Sequence, residues 1–180
     1  MNINQLFSTR ERIKILNHVI YKTGHLNVNK VAKNVKLSKG LVSKYFKHLT
    51  RDSILEKKND SFLVQSSVNT RAVKILLNLN LFDADLFKKH GFIKGAGIYG
   101  SYVKGTNTED SDIDLWVITE ETSEEDLAKL TGELKKNFGD VRPLYLTNDK
   151  LELLRKEDTT FYHSLVFGSI TIHGDDIEAF

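Results

Sequence analysis

The sequence contains no cysteine, so it has neither a disulfide framework nor a zinc site built from thiolates. Its 6 histidines show no spacing typical of metal ligands. No apolar run approaches the roughly 20 residues that a membrane-spanning helix requires, and the first residues lack the apolar segment of a secretory signal. We therefore expect a soluble, cytoplasmic protein with no membrane partner.

Acidic residues are scarce in the first third of the chain. Residues 1–65 contain 13 lysines and arginines against 4 acidic residues, a net charge of +9, whereas residues 66–180 carry a net charge of −7. A basic module of this size suggests a polyanion as partner. Because 180 residues suffice for two small domains, the charge division favours two.

Three stretches near the N-terminus have apolar residues at helical spacing. Thr9 is the predicted N-cap of the first helix, and Gly24 is its stop. The second helix is predicted to begin at Asn27 or Asn29, and Ser38 is the predicted cap of the third. A short helix, a tight turn and a helix with a basic polar face are typical of a helix-turn-helix.

Two short strand-like runs follow these helices. Residues 54–58 and 61–65 flank Asn59 and Asp60, a fair hairpin signal. Three helices followed by a hairpin resemble the winged helix-turn-helix regulators of bacteria and archaea, and this resemblance implies that residues 1–65 bind double-stranded DNA. A basic helical bundle that only bridges proteins is the alternative.

The candidate DNA-binding residues lie on the polar face of the third helix and on the hairpin. They are Lys39, Ser43, Lys44, Lys47, Lys57 and Lys58. We expect the lysines to contact phosphates, which position a protein without reading sequence. Ser43 is the best candidate for contact with a base edge.

Residues 66–92 are interpreted as a helical connector. A helix predicted over 69–82 carries apolar residues on nearly all sides, which is typical of a buried helix. It would pack between the domains or against a second subunit. A homodimer is the favoured use, because paired DNA half-sites suit a small winged helix.

The most informative stretch joins a turn of phosphate size to a pair of carboxylates. A β-branched and aromatic run ends at Gly100, and Ser101 opens a helical turn whose hydroxyl and backbone N–H groups suit phosphate oxygens. Asp112 and Asp114 are two residues apart in an alternating segment, so a strand places both carboxylates on one face. The polar segment 106–110 between them is interpreted as an ordinary turn.

Two neighbouring carboxylates repel one another, and a divalent cation would make their joint ionisation tolerable. Oxygen ligands favour Mg²⁺ or Mn²⁺, and Mg²⁺ commonly takes further ligands from substrate phosphates. The residues thus suggest a metal site at Asp112 and Asp114, with phosphates at the Ser101 turn.

The pattern of this stretch resembles the nucleotidyltransferases of the DNA polymerase β superfamily, in particular the minimal nucleotidyltransferases. The matching positions are Gly100, Ser101, Gly105, Ser111, Asp112, Asp114 and Val117. The resemblance implies an α/β domain with a small mixed sheet over residues 93–180, and hence an α+β protein overall. It also implies ATP or another nucleoside triphosphate as ligand, with Asp112 and Asp114 as catalytic residues and Gly100, Ser101 and Ser111 as nucleotide-binding residues.

The family pattern implies a third carboxylate on the strand after the next helix, where this chain has Arg142. Asp140 lies on the same strand face and is the candidate substitute. Alternatively, Arg142 would bind a triphosphate or an acidic ligand, because its planar guanidinium matches the geometry of phosphate and carboxylate groups. Three functions therefore stay open: transfer of a nucleoside monophosphate to a hydroxyl, nucleotide sensing by an inactive domain in a transcription regulator, and a toxin–antitoxin role in which the protein nucleotidylates or sequesters another protein.

The remaining pattern completes the domain. We predict a helix over 120–138, a strand over 141–146 and a final strand over 169–173. Pro143 indicates that the strand over 141–146 lies at a sheet edge or that the proline is among its first residues. Trp116 shares a strand face with the two aspartates. It is interpreted as a core residue, with stacking on a base as the alternative.

Overall fold

The computed structural model describes residues 1–179, and the backbone divides into two compact units. The first comprises Met1–Leu77 together with Gly105–Asp110. The second comprises Asn78–Lys104 and the chain from Ser111 onward. The division falls inside the connector predicted over 66–92. Residue 180, the end of the predicted second domain, lies outside the described residues.

The first unit is mostly helical, and its regular elements are α1 (Ile3–Leu6), α2 (Arg10–Val19), α3 (Val28–Val35), α4 (Lys39–Arg51), β1 (Leu55–Lys58), β2 (Ser61–Val64) and most of α5 (Val68–Leu79). Three helices and a hairpin thus appear in the predicted order, although α1 was not predicted.

The helix starts follow from side-chain caps. Thr9 Oγ1 accepts a hydrogen bond from the Arg12 backbone N–H at 3.3 Å, and Ser38 Oγ accepts one from Leu41 at 3.3 Å. Asn27 resolves the alternative start of the second helix, because its side chain accepts from the backbone N–H of Asn29 at 2.9 Å. Each cap satisfies a backbone donor that the helix cannot pair internally.

The hairpin forms around the predicted turn. Leu55 pairs with Val64 and Lys58 with Ser61, and Asn59 adopts a left-handed conformation with φ of 52°. Asparagine tolerates this conformation better than most residues. An isolated bridge between Leu26 and Phe62 ties the hairpin to the segment before α3.

The prediction for helix α5 is partly wrong. Leu76 is 53% exposed, although the helix predicted over 69–82 was expected to be buried on nearly all sides. The buried side carries Leu77, as expected, and also the polar residues Thr70, Lys74 and Asn78, which are spaced by 4 residues. These polar side chains are buried because each makes a polar contact, which offsets the cost of removing it from water.

The second unit contains the strands of the larger sheet, and its regular elements are α6 (Ala84–Lys88), β3 (Ile93–Tyr99), α7 (Ser101–Lys104), β4 (Ile113–Thr119), α8 (Glu124–Phe138), β5 (Val141–Leu146), α9 (Asn148–Glu157), α10 (Thr159–Gly168), β6 (Ile170–Gly174) and a 3₁₀ turn (Ile177–Ala179).

The sheet is mixed, as predicted, with strand order β5-β4-β3-β6. β4 runs parallel to β5, and β3 is antiparallel to both β4 and β6. The edge position predicted from Pro143 is confirmed, since β5 has a partner on one side only.

Both faces of β4 are buried. Ile113, Leu115 and Val117 lie in one apolar cluster with residues of α8. Trp116 lies in another, with Leu146 and Leu165, and it is fully buried. The interpretation of Trp116 as a core residue is therefore confirmed, and the stacking alternative is wrong. None of the helices in residues 1–179 combines the length and apolar character needed to cross a membrane.

Candidate functional site

The turn at Gly100 lies at the same end of the sheet as Asp112 and Asp114, which are found just before and within the start of β4. Tyr99, the last residue of β3, pairs with Asp114 in the antiparallel register. Gly100 and Ser101 come next in the chain and therefore lie near Asp114. Gly100 has φ of +70°, and a Cβ added there would collide with Asp114 Oδ2. Position 100 therefore favours glycine for two reasons: the positive φ of the backbone and the close approach of the Asp114 carboxylate.

Ser101 and Ser111 mark the two ends of the excursion between β3 and β4. Ser101 follows Gly100 and begins α7, and Ser111 immediately precedes Asp112. Both serines are half-buried. The predicted phosphate turn and the predicted carboxylates are thus neighbours on the fold.

Arg142 lies directly beside the carboxylates. It pairs with Asp114 in the parallel register of β4 and β5, and its Nε is 2.6 Å from Asp112 Oδ2. The arginine side chain is 73% exposed, whereas that of Asp112 is 26% exposed. Asp140, the predicted substitute for the missing acid, is exposed and precedes β5.

The ion pair leaves part of Asp112 unsatisfied. Asp112 Oδ2 is buried and, within the described chain, accepts no hydrogen bond, because the Arg142 N–H is not suitably directed at it. Arg142 thus offsets the negative charge of Asp112, while Asp112 Oδ2 can still accept a hydrogen bond.

The pKa of Asp114 reflects its burial and the charged groups around it. Burial raises the pKa of Asp114, the negative charge of Asp112 raises it further, and the Arg142 guanidinium opposes both effects. Proximity of like charges at a partly buried site is common at functional centres.

Tyr99 is a site residue that the sequence analysis missed. Burial raises the pKa of its phenol, and the charges of Asp114 and Asp112 add to this effect. Its ring also packs edge-on against Phe161, with centroids 6.4 Å apart. The available signal was its position one residue before Gly100, at the end of the strand.

The two aspartates provide a donor set that fits one divalent ion. Within residues 1–179 there is no group of three or more histidine, aspartate or glutamate side chains arranged for a metal. The buried, unsatisfied Asp112 Oδ2 and the adjacent Asp114 suit one Mg²⁺ or Mn²⁺ whose other ligands come from phosphates and water. Arg142 would have to leave Asp112 for such an ion to approach that oxygen.

The segment between the turn and the carboxylates differs from the expected ordinary turn. Gly105 and Asn107 are buried, and the Lys74 ammonium donates to the Asn107 carbonyl at 2.5 Å. Gly105 has φ of +64°, and a Cβ there would collide with the backbone of Arg71. A surface turn would not need such close packing.

The candidate DNA-binding residues all lie in the first unit. Ser43 is half-buried on α4, the hairpin carries Lys57 and Lys58, and the lysines among the candidates are exposed. Lys58 forms an ion pair with Glu56 at 2.6 Å, which reduces its availability to a phosphate. The candidate residues exposed on α4 are Lys39, Lys44 and Lys47.

A family model described as polymerase beta, nucleotidyltransferase matches residues 84–178, more than half of the chain. The chain belongs to this family. The match covers the four-stranded sheet, the Gly100 turn and both aspartates of the polymerase beta nucleotidyltransferase domain.

Comparison with solved structures gives a weak likeness to tri-AMPylated Shewanella oneidensis HEPN toxin in complex with MNT antitoxin. The match has 16% sequence identity and a TM-score of 0.34, and it covers 58% of this chain and 73% of the other. Neither value is high enough to carry function from that complex to this chain. The comparison with curated proteins finds no match.

Proposed function

We propose that this member of the polymerase beta nucleotidyltransferase family is a DNA-binding protein whose second unit binds a nucleoside triphosphate as a regulatory ligand. The observation that carries the proposal is the ion pair between Arg142 and Asp112. A guanidinium, rather than a third carboxylate, stands beside the two aspartates.

The geometry supports binding of a triphosphate. Gly100 and Ser101 supply a turn and a hydroxyl at the same sheet end as Asp114. Arg142 is exposed and borders this position, and its planar fork can bind two phosphate oxygens at once. A Mg²⁺ or Mn²⁺ ion bound with the nucleotide would neutralise both carboxylates and draw in the phosphates.

The same geometry weighs against efficient transfer. Transfer to a hydroxyl needs a group that accepts its proton, and such general bases contribute about 10²- to 10⁴-fold to a rate. Arg142 cannot act as a base, because a guanidinium stays protonated. Asp140 is exposed and lies before the strand rather than on it.

The first unit supports the DNA-binding part of the proposal. Residues 1–65 carry a net charge of +9, and α4 presents Lys39, Lys44 and Lys47 to solvent. The order of helices and hairpin supports a winged helix-turn-helix arrangement, in which the helix corresponding to α4 would enter the major groove. Binding through phosphates would depend steeply on salt.

The nucleotide proposal can be tested by binding of a fluorescent ATP analogue with Mg²⁺, alongside transfer of label from ATP labelled at the α-phosphate. We expect the wild type to bind and the Asp112→Asn/Asp114→Asn variant to lose binding. Glu124→Gln/Glu125→Gln is the matched control, since it removes two exposed charges from the first turn of α8. Label that moves to protein or to an added hydroxyl compound, and does so only with both aspartates present, would overturn the ligand role in favour of transfer.

The DNA proposal can be tested by fluorescence anisotropy with a short mixed-sequence duplex over a range of salt concentrations. Lys44→Ala should weaken binding and lower the salt slope by about 1, as expected for one lost phosphate contact. Lys135→Ala, at an exposed position late in α8, is the control and should change neither value. A flat salt response in the wild type would remove phosphate contacts as the basis of binding.

A further inference from the structure

The loop that joins the two halves of the nucleotide site belongs to the other unit. Residues Gly105–Asp110 leave α7 after Lys104 and return to the chain just before Ser111 and Asp112. Both flanking segments are part of the second unit, whereas the loop itself is part of the first. Any change in the loop therefore reaches Ser101 and Asp112 through a few peptide bonds.

The loop is fixed within the first unit by polar contacts and by close packing. Glu109 forms an ion pair with Lys22, and its backbone N–H donates to the Tyr21 carbonyl at 2.9 Å. Gly105 packs against the Arg71 backbone so closely that a Cβ would not fit.

Helix α5 contributes to both sides of this arrangement. Lys74 donates to the Asn107 carbonyl at 2.5 Å within the first unit, and its ammonium lies 5.6 Å from the centre of the Tyr21 ring. One helical turn later, Asn78 donates to the Tyr102 carbonyl in α7 at 2.7 Å within the second unit. Lys74 thus contacts the loop within the first unit, and Asn78 contacts the turn that begins at Ser101 within the second.

We propose that helix α5 and the loop Gly105–Asp110 couple DNA binding by the first unit to nucleotide binding by the second. This inference rests on the proposed function and specifies its regulation. A nucleotide held by Ser101 and Asp112 fixes both ends of the loop, and contacts of the first unit fix its middle. Such a coupling is reciprocal, so DNA changes nucleotide affinity by the same factor as nucleotide changes DNA affinity.

Lys74 is the contact whose loss should matter most. It is only 6% exposed, and burial lowers its pKa because the charged form loses hydration. Its hydrogen bond to a backbone carbonyl therefore gives the buried ammonium a defined partner and the loop a defined position. Lys74→Met keeps much of the apolar stem and removes the ammonium.

The test compares the wild type with Lys74→Met and with Glu109→Gln, a milder change at an exposed residue. Lys14→Met, at an exposed position on α2, is the control. Affinity for a fluorescent ATP analogue with Mg²⁺ is measured with and without a short mixed-sequence duplex at low ionic strength. We expect duplex to change the wild-type affinity by about 5-fold or more, and both loop variants, but not the control, to bring this ratio towards 1.

A second measurement does not require nucleotide. Hydrogen exchange in the protein alone should increase at residues 101–104 and 111–114 in both loop variants, because the loop no longer restrains its ends. Exchange that increases only within 105–110, or an affinity ratio that the variants leave unchanged, would overturn the inference while the proposed function stands. Absence of nucleotide binding in the wild type would overturn the proposed function and this inference with it.

Discussion

Replacement of Arg142 by alanine should lower the free energy of unfolding of the second unit, because Asp112 loses its cationic partner. At 2.6 Å, two unit charges attract by about 1.6 kcal/mol in a water-like dielectric. Part of this attraction is offset by the entropy lost in ordering a side chain that is 73% exposed. We therefore expect a net interaction of about 1 kcal/mol between Arg142 and Asp112.

The measurement is a double-mutant cycle in urea, with the wild type, Arg142→Ala, Asp112→Asn and the double variant. The cycle isolates the pair, because losses that each variant causes alone cancel. The interaction should shrink in concentrated salt, since an exposed guanidinium is readily screened. An interaction below about 0.2 kcal/mol, or one that concentrated salt leaves unchanged, would refute the reasoning.

Three further predictions follow from the site and the first unit. Asp114→Asn should raise the free energy of unfolding at pH 7, because the pKa of Asp114 is raised in the folded state and its ionised form therefore destabilises the fold as pH rises through that pKa. Denaturation at several pH values should show that this gain in stability disappears at lower pH, where Asp114 is protonated in both states. Gly100→Ala should cost about 1–2 kcal/mol in unfolding free energy for the left-handed conformation alone and abolish nucleotide binding, whereas Gly132→Ala, on α8 with open space for a Cβ, should be neutral or stabilising. Ser38→Ala should cost about 1 kcal/mol through loss of the α4 cap while nucleotide affinity stays unchanged. A stable Gly100→Ala variant with normal binding would contradict the assigned contact with Asp114.

Local signals made much of the fold predictable. Features that depend on residues close together in the chain were predicted. They are the helix caps at Thr9, Asn27 and Ser38, the turn at Asn59 and the edge strand marked by Pro143. Such features express backbone preferences and nearby hydrogen bonds, which the sequence states directly. The mixed sheet followed from the family resemblance.

The missed features depend on partners far away in sequence. Helix α5 buries Lys74 and Asn78 because they bond to carbonyls 33 and 24 residues further along the chain. Apolar periodicity carries no information about such partners, so it does not predict that these two polar side chains are buried. The loop at Asn107 was misread for the same reason.

The candidate site was partly accessible to sequence reasoning. The period of a strand placed Asp112 and Asp114 together, but it could not show that Arg142 contacts Asp112 or that Tyr99 lies near both acids. Those facts follow from the registers of β4 with β3 and β5.

The most direct test of the nucleotide site is a crystal structure of the protein with ATP and Mg²⁺. The proposed function predicts the phosphates against Gly100 and Ser101, with Arg142 withdrawn from Asp112 and directed at the phosphate oxygens. Nucleotide bound elsewhere, with Arg142 still paired to Asp112, would contradict it.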